Sequence, residues 1–196
     1  MDRDAAVTKE RILTVARAAF ARHGFDGATV RAIAAEADVS PNLITRYFGG
    51  KGGLFRAATD IDLDVPDVLP GEFPALGRRI AAKVVSRWEH AGAEDPLLMM
   101  LRSAGTSDEA AGELGDFFLE QAARPLAAHL VAELGCTDAQ AYDRVAGVGA
   151  LIMGVVMSRY VMRTGPLAAA GPGRLTLWLG DRIQRLIDGA APPPLA

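Results

Sequence analysis

The chain has 196 residues, 50% of them hydrophobic, which is enough to bury a sizeable core in one domain or two. Its single cysteine, Cys136, excludes an intramolecular disulfide and a cysteine-based zinc cluster, and fits a reducing cytoplasm. The net charge of −3 divides into +2 over residues 1–60 (nine Lys/Arg, seven Asp/Glu) and −5 over the remainder. This distribution favours contact with phosphates by the first third of the chain.

No membrane or export signal is expected. The first residues include acidic side chains and no apolar run, unlike a signal peptide. The longest uncharged apolar run, Val145 to Met157, has thirteen residues, fewer than a bilayer requires. We therefore expect a cytoplasmic protein without a membrane partner.

Helical spacing of apolar residues predicts helices from the first residues onward. Thr8 is a plausible N-cap of the first helix, and Gly24 supplies its C-terminal stop. Thr29 can cap a second helix that ends near Asp38.

A third, short helix is predicted from Pro41 to Phe48, because Ser40 and Pro41 form an N-cap followed by proline at the first helical position. Two helices of about eight residues separated by a turn of three or four are typical of a helix-turn-helix. Gly49 and Gly50 close this helix, and a fourth begins near Lys51.

Three prolines and three aspartates between residues 62 and 76 predict a junction between domains. Beyond the junction, apolar periodicity predicts helices over about 75–91, 96–104, 108–134, 138–163 and 172–188. Pro125 is expected to kink or split the third of these.

The stretch from Thr29 to Phe55, TVRAIAAEADVSPNLITRYFGGKGGLF, resembles the DNA-binding signature of TetR/AcrR regulators. The shared features are a helix cap, an apolar pair, two turn residues, an aromatic pair, and a basic residue before a second apolar pair: Thr29, Ile33-Ala34, Val39-Ser40, Tyr47-Phe48, Lys51 and Leu54-Phe55. With the first helix, the resemblance covers about residues 8–57. It departs from the family pattern at Thr45, where the family often has Tyr, and at the glycines around Lys51.

The resemblance implies an all-α homodimer. Residues 1–60 would form a three-helix helix-turn-helix DNA-binding domain, and residues 61–196 a helical ligand-binding and dimerisation domain. The expected function is a ligand-responsive repressor that binds palindromic operator DNA and is released by a small, mostly apolar effector. A DNA-binding regulator without a small-molecule ligand and a helical enzyme are the alternatives.

A recognition helix needs one face that packs on its domain and another that presents donors and small apolar groups to base edges. Ile44 and Phe48 share the first face. The outward set is Pro41, Asn42, Leu43, Thr45, Arg46 and Tyr47. Asn42 is suited to adenine, Arg46 to guanine or a phosphate, and Leu43 to a thymine methyl. The alternative is that Asn42 supports the helix start and Arg46 is a solvated charge.

Four residues near this helix are expected to position the DNA backbone: Thr29, Arg31, Tyr47 and Lys51. By resemblance, Arg31 could instead reach a base, and Tyr47 could be a half-buried core aromatic. The GGKGG segment lacks the spacing of a nucleotide-binding loop, and its glycines form either a turn or a close approach to DNA.

Two helices of the second domain are candidates for a dimer interface. Val145–Met157 is apolar on all sides, and the last helix carries a broad stripe of Leu175, Trp178, Leu179, Ile183, Leu186 and Ile187. Together they suit a four-helix dimer bundle, and the alternative is two core helices within one monomer.

Large, adaptable side chains are candidates for an effector cavity: Trp88, Leu97, Met100, Phe117, Phe118, Gln121, Met153 and Met157. The same residue types are ordinary core. His23, His90 and His129 are scattered, without carboxylates at metal-ligand spacing, so neither a metal nor a cofactor is expected.

Overall fold

The structure, a computed structural model, describes residues 2–59, 63–90 and 96–189, and over these ranges it contains helices and no strand. The predicted all-α class is confirmed. The chain divides into two compact units: Met1–Asp62 with Ala93–Phe117, and Leu63–Gly92 with Phe118–Ala196. The first division lies close to the boundary predicted after residue 60, but residues 93–117 join the N-terminal unit, which the sequence analysis did not anticipate.

The α-helices of the described ranges are, in chain order, α1 (Asp2–Gly27), α2 (Val30–Glu36), α3 (Pro41–Phe48), α4 (Lys51–Ala58), α5 (Val65–Val68), α6 (Leu76–His90), α7 (Pro96–Ala104), α8 (Asp108–Phe118), α9 (Arg124–Leu134), α10 (Asp138–Val156), α11 (Gly165–Ala169) and α12 (Pro172–Asp188). A 3₁₀ turn lies at Phe73–Ala75, and single π-helical turns lie at Leu119–Ala123 and Met157–Val161. Helices α5 and α11 were not predicted, since each is at most five residues long.

Helix α1 begins earlier than predicted. It extends from Asp2, so Thr8 is not its N-cap: the Thr8 hydroxyl lies inside the helix and donates to the Asp4 carbonyl at 2.8 Å. Gly24 interrupts the helix with φ 68° and ψ −179°, where a stop had been predicted. The error at Thr8 arises because a threonine inside a helix can bond back to its own turn as readily as it can cap.

The segment predicted as one helix over 108–134 is split, as expected from Pro125. One π-helical turn over Leu119–Ala123 separates α8 from α9, and Pro125 occupies the first turn of α9. Proline lacks the N–H that would continue the helical ladder, so the preceding turn must widen or break.

The core of the second unit lies between α6, α9, α10 and α12. Helices α6 and α12 approach so closely that their glycines face backbone: a Cβ at Gly180 would lie 2.9 Å from the Arg78 Cα, and one at Gly77 would lie 2.5 Å from the Gln184 nitrogen. The Gly77 N–H donates to the Gln184 side chain at 2.8 Å. This contact fixes the first long helix of the unit against the last.

Helix α10 is long, apolar and poorly covered. With the following π turn it forms a 24-residue helix, Asp138–Val161, whose length and composition alone would suffice to cross a membrane. The uncharged run within it, Val145 to Met157, is by itself too short to do so. Of its most apolar eighteen residues, 22% are buried within the protein. An exposed apolar helix face of this size is typical of a surface that another molecule buries.

We predict that Gly180→Ala destabilises the second unit by about 1–3 kcal/mol, because the methyl group must displace the α6 backbone. Urea denaturation followed by circular dichroism measures the change. Gly173→Ala, in the first turn of the same helix, is the control, since a Cβ there meets nothing within 4 Å. Equal effects of the two substitutions would contradict the close helix contact.

Candidate nucleic-acid interface

One face of helix α3 packs against the rest of the first unit, and the opposite face is exposed to solvent. Ile44 is fully buried, while Asn42, Thr45 and Arg46 are exposed and Leu43 is half-buried. The predicted orientation of Ile44 is therefore confirmed, although Phe48, expected to be buried, is only half-buried. The helix presents a polar face about two turns long, the size of element that enters a major groove.

The turn before α3 is held by α2. The Thr29 hydroxyl accepts a hydrogen bond from the Ala32 N–H at 3.1 Å, so its predicted capping role is confirmed. Arg31, two residues later, is exposed. Ser40 occupies the N-cap of α3 without a side-chain capping bond, and Pro41 follows at the first helical position. The Ala32 N–H of α2 is thus paired with Thr29, and the Leu43 N–H of α3 donates to the Ser40 carbonyl at 3.0 Å, so the first turns of both helices are held by contacts within their own unit.

A cluster of three phenylalanines holds the scaffold behind α3. Phe20 and Phe55 meet edge to face with ring centroids 4.9 Å apart, and Phe25 meets Phe55 in the same way at 5.0 Å. All three are buried. Edge-to-face contacts stabilise beyond area burial by about 0.5–1.5 kcal/mol each, so this cluster joins α1 to α4 firmly.

The glycine-rich segment between α3 and α4 is explained by internal packing. Gly49 ends α3 in the left-handed conformation with φ 78°. A Cβ at Gly53 would coincide with the Phe48 carbonyl. Glycine is therefore required at Gly49 and Gly53 for the sharp return from α3 into α4.

Lys51 has contacts inside its own unit. Its ammonium group lies 4.5 Å from the Phe25 ring centroid and donates to the Asp26 carbonyl at 3.3 Å. The side chain is half-buried, with its charge at the C-terminal end of α1, where a cation is favoured. Lys51 thus braces the turn as well as carrying charge.

Two cations lie close to the Tyr47 ring. The Arg46 guanidinium lies 5.3 Å from the ring centroid and the Lys9 ammonium 5.2 Å from it. The ring is half-buried and the two cations are exposed. Lys9 was not among the predicted site residues, because it belongs to α1 and stands 38 positions before Tyr47 in the sequence.

Helix α8 contributes a contact that sequence reasoning missed. The Arg56 guanidinium pairs with Glu113 at 2.6 Å, and this pairing raises the pKa of Arg56. A Cβ at Gly52 would lie 2.9 Å from a Glu109 carboxylate oxygen and 3.0 Å from one of Glu113. The first turn of α4 is thereby tied to α8, although no local pattern in either helix indicates the partner.

The predicted effector residues are distributed over both units. Leu97, Met100 and Phe117 are buried in the first unit, and Trp88, Phe118, Gln121, Met153 and Met157 belong to the second. Trp88 is buried and stacks on Tyr160 with centroids 5.7 Å apart. Met157 is 37% exposed, while Gln121 and Met153 are half-buried.

A polar cluster lies beside Trp88 in the second unit. Glu89 accepts hydrogen bonds from Tyr160 at 2.8 Å and from Arg159 at 2.9 Å. Burial, together with the hydrogen bond to Glu89, raises the pKa of Tyr160 to about 12. The Arg159 side chain, 9% exposed, also donates to the carbonyls of Leu167, Ala168 and Ala170. The cluster ties the end of α10 to α6 and α11, a structural role.

Metal ligation finds no support in the part of the chain that the structure describes. It contains no group of three or more His, Cys, Asp or Glu side chains that could hold a metal ion.

Comparisons with known proteins agree with this geometry. Residues 12–58 match the family model for bacterial regulatory proteins of the tetR family, and residues 75–187 match the model for the tetracyclin repressor-like C-terminal domain. A helix-turn-helix transcriptional repressor of Streptomyces coelicolor is 45% identical over 69 residues, which are 33% of this chain and 36% of that protein.

Solved structures extend the likeness to nearly the whole chain. A TetR-family regulator from Streptomyces coelicolor has a TM-score of 0.71 and 29% identity, covering 92% of this chain and 94% of its own. A transcriptional regulator from Pseudomonas aeruginosa, 23% identical over 93% of this chain and 91% of its own, has a TM-score of 0.64 and shares the fold. The chain therefore belongs to the TetR family of DNA-binding transcriptional regulators and is not an enzyme.

Proposed function

We propose that the protein is a ligand-responsive repressor that binds a palindromic operator as a homodimer through α3. The observation that carries the proposal is the exposed polar face of α3 backed by the buried Ile44. Asn42 and Arg46 are placed to read base edges, with Leu43 and Thr45 beside them. Thr29, Arg31, Pro41, Tyr47 and Lys51 position the DNA backbone around the helix. A location in the cytoplasm follows from contact with DNA.

The homodimer rests on the uncovered face of α10. Ala146, Gly149, Ala150 and Gly154 are small and largely exposed, and Tyr142 at 41% exposed and Met157 at 37% flank them. Small residues allow close approach of a second helix, and aromatic and Met side chains are enriched at interfaces. A second copy of this chain supplies the cover, because a two-fold operator requires a two-fold protein.

Helix α12 contributes less to that interface than its apolar stripe suggested. Leu175, Leu179, Ile183 and Ile187 are all buried in the core of their own unit. For these residues the single-monomer alternative is the better description. Leu177, 55% exposed, is the large apolar residue of α12 available to a partner.

The effector is proposed to be small and mostly apolar, and to bind in the second unit beside α10. The stacked Trp88 and Tyr160 rings and the half-buried Met153 supply adaptable apolar surface there. To release DNA, the effector must bind the released form more tightly than the DNA-competent form, with a coupling of about 1–3 kcal/mol per site.

The operator test is selection of duplexes from a random library, followed by titration of variants. We expect Arg46→Ala to weaken binding of the selected duplex by about 1–3 kcal/mol and to relax the preference at one base pair of each half-site. Arg22→Ala is the control, an exposed arginine on α1. Wild-type affinity in Arg46→Ala would mean that α3 is oriented differently on DNA.

For assembly, a charge on the α10 face should separate the protomers. We expect Ala150→Glu to yield a monomer by light scattering at micromolar concentration and to lose operator affinity, because a buried unpaired carboxylate is costly. Ala132→Glu, an equally exposed alanine on α9, should remain wild-type. A dimeric Ala150→Glu protein would show that another surface forms the interface.

For the effector, a bulky side chain should block release and spare DNA binding. A panel of apolar compounds is screened for release of the selected operator duplex, labelled with a fluorophore, from the wild-type protein. A compound that causes release is then tested on Met153→Trp. We expect loss of release with unchanged operator affinity, and light scattering checks that the variant remains a dimer, because Met153 lies within one turn of Gly149 and Ala150 on the α10 face proposed for the interface. Met162→Trp is the control, since Met162 is 57% exposed. Intact release with unchanged compound affinity in Met153→Trp would place the pocket elsewhere.

A further inference from the structure

We propose that Lys9 belongs to the DNA interface and that Tyr47 serves as an aromatic platform that holds the cations of Lys9 and Arg46 over its ring for contact with phosphates. The inference rests on the proposed binding of operator DNA through α3. It adds a residue of α1 to that surface, and it assigns the ring of Tyr47, rather than its hydroxyl group, as the functional part.

The geometry joins two helices at one ring. Lys9 comes from α1 and Arg46 from α3, and their charged atoms lie 5.2 Å and 5.3 Å from the Tyr47 centroid. Both distances fall within the range of about 6 Å in which the face of an aromatic ring attracts a cation. The ring therefore contacts one charge from outside the recognition helix and one that belongs to it.

Lys9 is available to a ligand. Its side chain is exposed, and within the described ranges its ammonium makes no ion pair. The neighbouring carboxylate, Glu10, is paired with Arg17 at 3.0 Å. An exposed cation held over an aromatic ring without an acidic partner is a ready contact for a phosphate oxygen.

The backbone of Lys9 is fixed by the early start of α1. Because the helix begins at Asp2, Lys9 lies two turns inside it rather than in a frayed first turn. The position also precedes residues 12–58, the range matched by the family's DNA-binding model. The assignment of Lys9 thus comes from its contact with Tyr47 and not from that match.

The test is the salt dependence of binding to the selected duplex and to a random-sequence duplex of equal length. Each phosphate contact contributes about 0.9 to the slope of log K against log salt. We expect Lys9→Gln to lower the slope by about that amount on both duplexes. Arg11→Gln is the matched control: it removes one exposed charge from the same turn, about 200° around the helix from Lys9.

Tyr47 variants separate ring from hydroxyl. We expect Tyr47→Phe to keep the wild-type salt slope, because it retains the ring. Tyr47→Leu should lower the slope by at least as much as Lys9→Gln does. The double variant of Lys9→Gln and Tyr47→Leu should have the same slope as Tyr47→Leu alone. Circular dichroism checks that each variant is folded, and Lys9→Gln, at an exposed site, decides the matter if Tyr47→Leu does not fold.

Two results would overturn the inference while leaving the proposed function intact: a wild-type slope in Lys9→Gln, or the same loss in Tyr47→Phe as in Tyr47→Leu. Failure of the wild-type protein to bind any duplex would overturn both this inference and the proposed function. Titration of the wild-type protein, done before that of any variant, identifies this outcome.

Discussion

The contact between Phe20, Phe25 and Phe55 is the constraint on which the DNA-binding surface depends. Helices α2, α3 and α4 are seven or eight residues long, too short to persist alone in water. The three rings unite α1 with α4, and Lys51 covers the Phe25 face from outside. With that support, burial of Ile44 helps to fix the rotation of α3 and hence the side chains it exposes.

The two units use their apolar residues differently. In the first, the buried residues serve mainly to hold a polar surface in place. In the second, the core closes around α6, α9 and α12 and leaves one face of α10 without cover. A helix with more apolar surface than its own core can bury lowers the solubility of the protein, unless a partner covers the remaining apolar surface. The surfaces proposed for recognition and for assembly therefore lie on separate helices with opposite surface chemistry.

Sequence signals that act within one turn of the chain predicted the helices well. They could not predict contacts between residues that lie far apart in the sequence. Thr29 as a cap, Pro41 at a helix start and Pro125 as a break act within one turn of chain, so the sequence reveals them. The error at Thr8 is also local, because a threonine can bond back to its own turn as readily as it can cap. The misread stripe of α12 has another origin. Whether Leu179 faces its own core or a partner depends on α6, about a hundred residues earlier, and the proximity of Lys9 to Tyr47 depends on how α1 packs.

The close contact of α6 with α12 at Gly77 and Gly180 can form only late in synthesis of the chain. Helix α6 emerges from the ribosome long before α12, and its Gly77 N–H waits for a side chain at residue 184. The residues of the first unit end at Phe117, so all of them have been synthesised while the second unit still lacks its last helix. At that stage α6 has no α12 to pack against, and the nascent chain is exposed to aggregation and to chaperones.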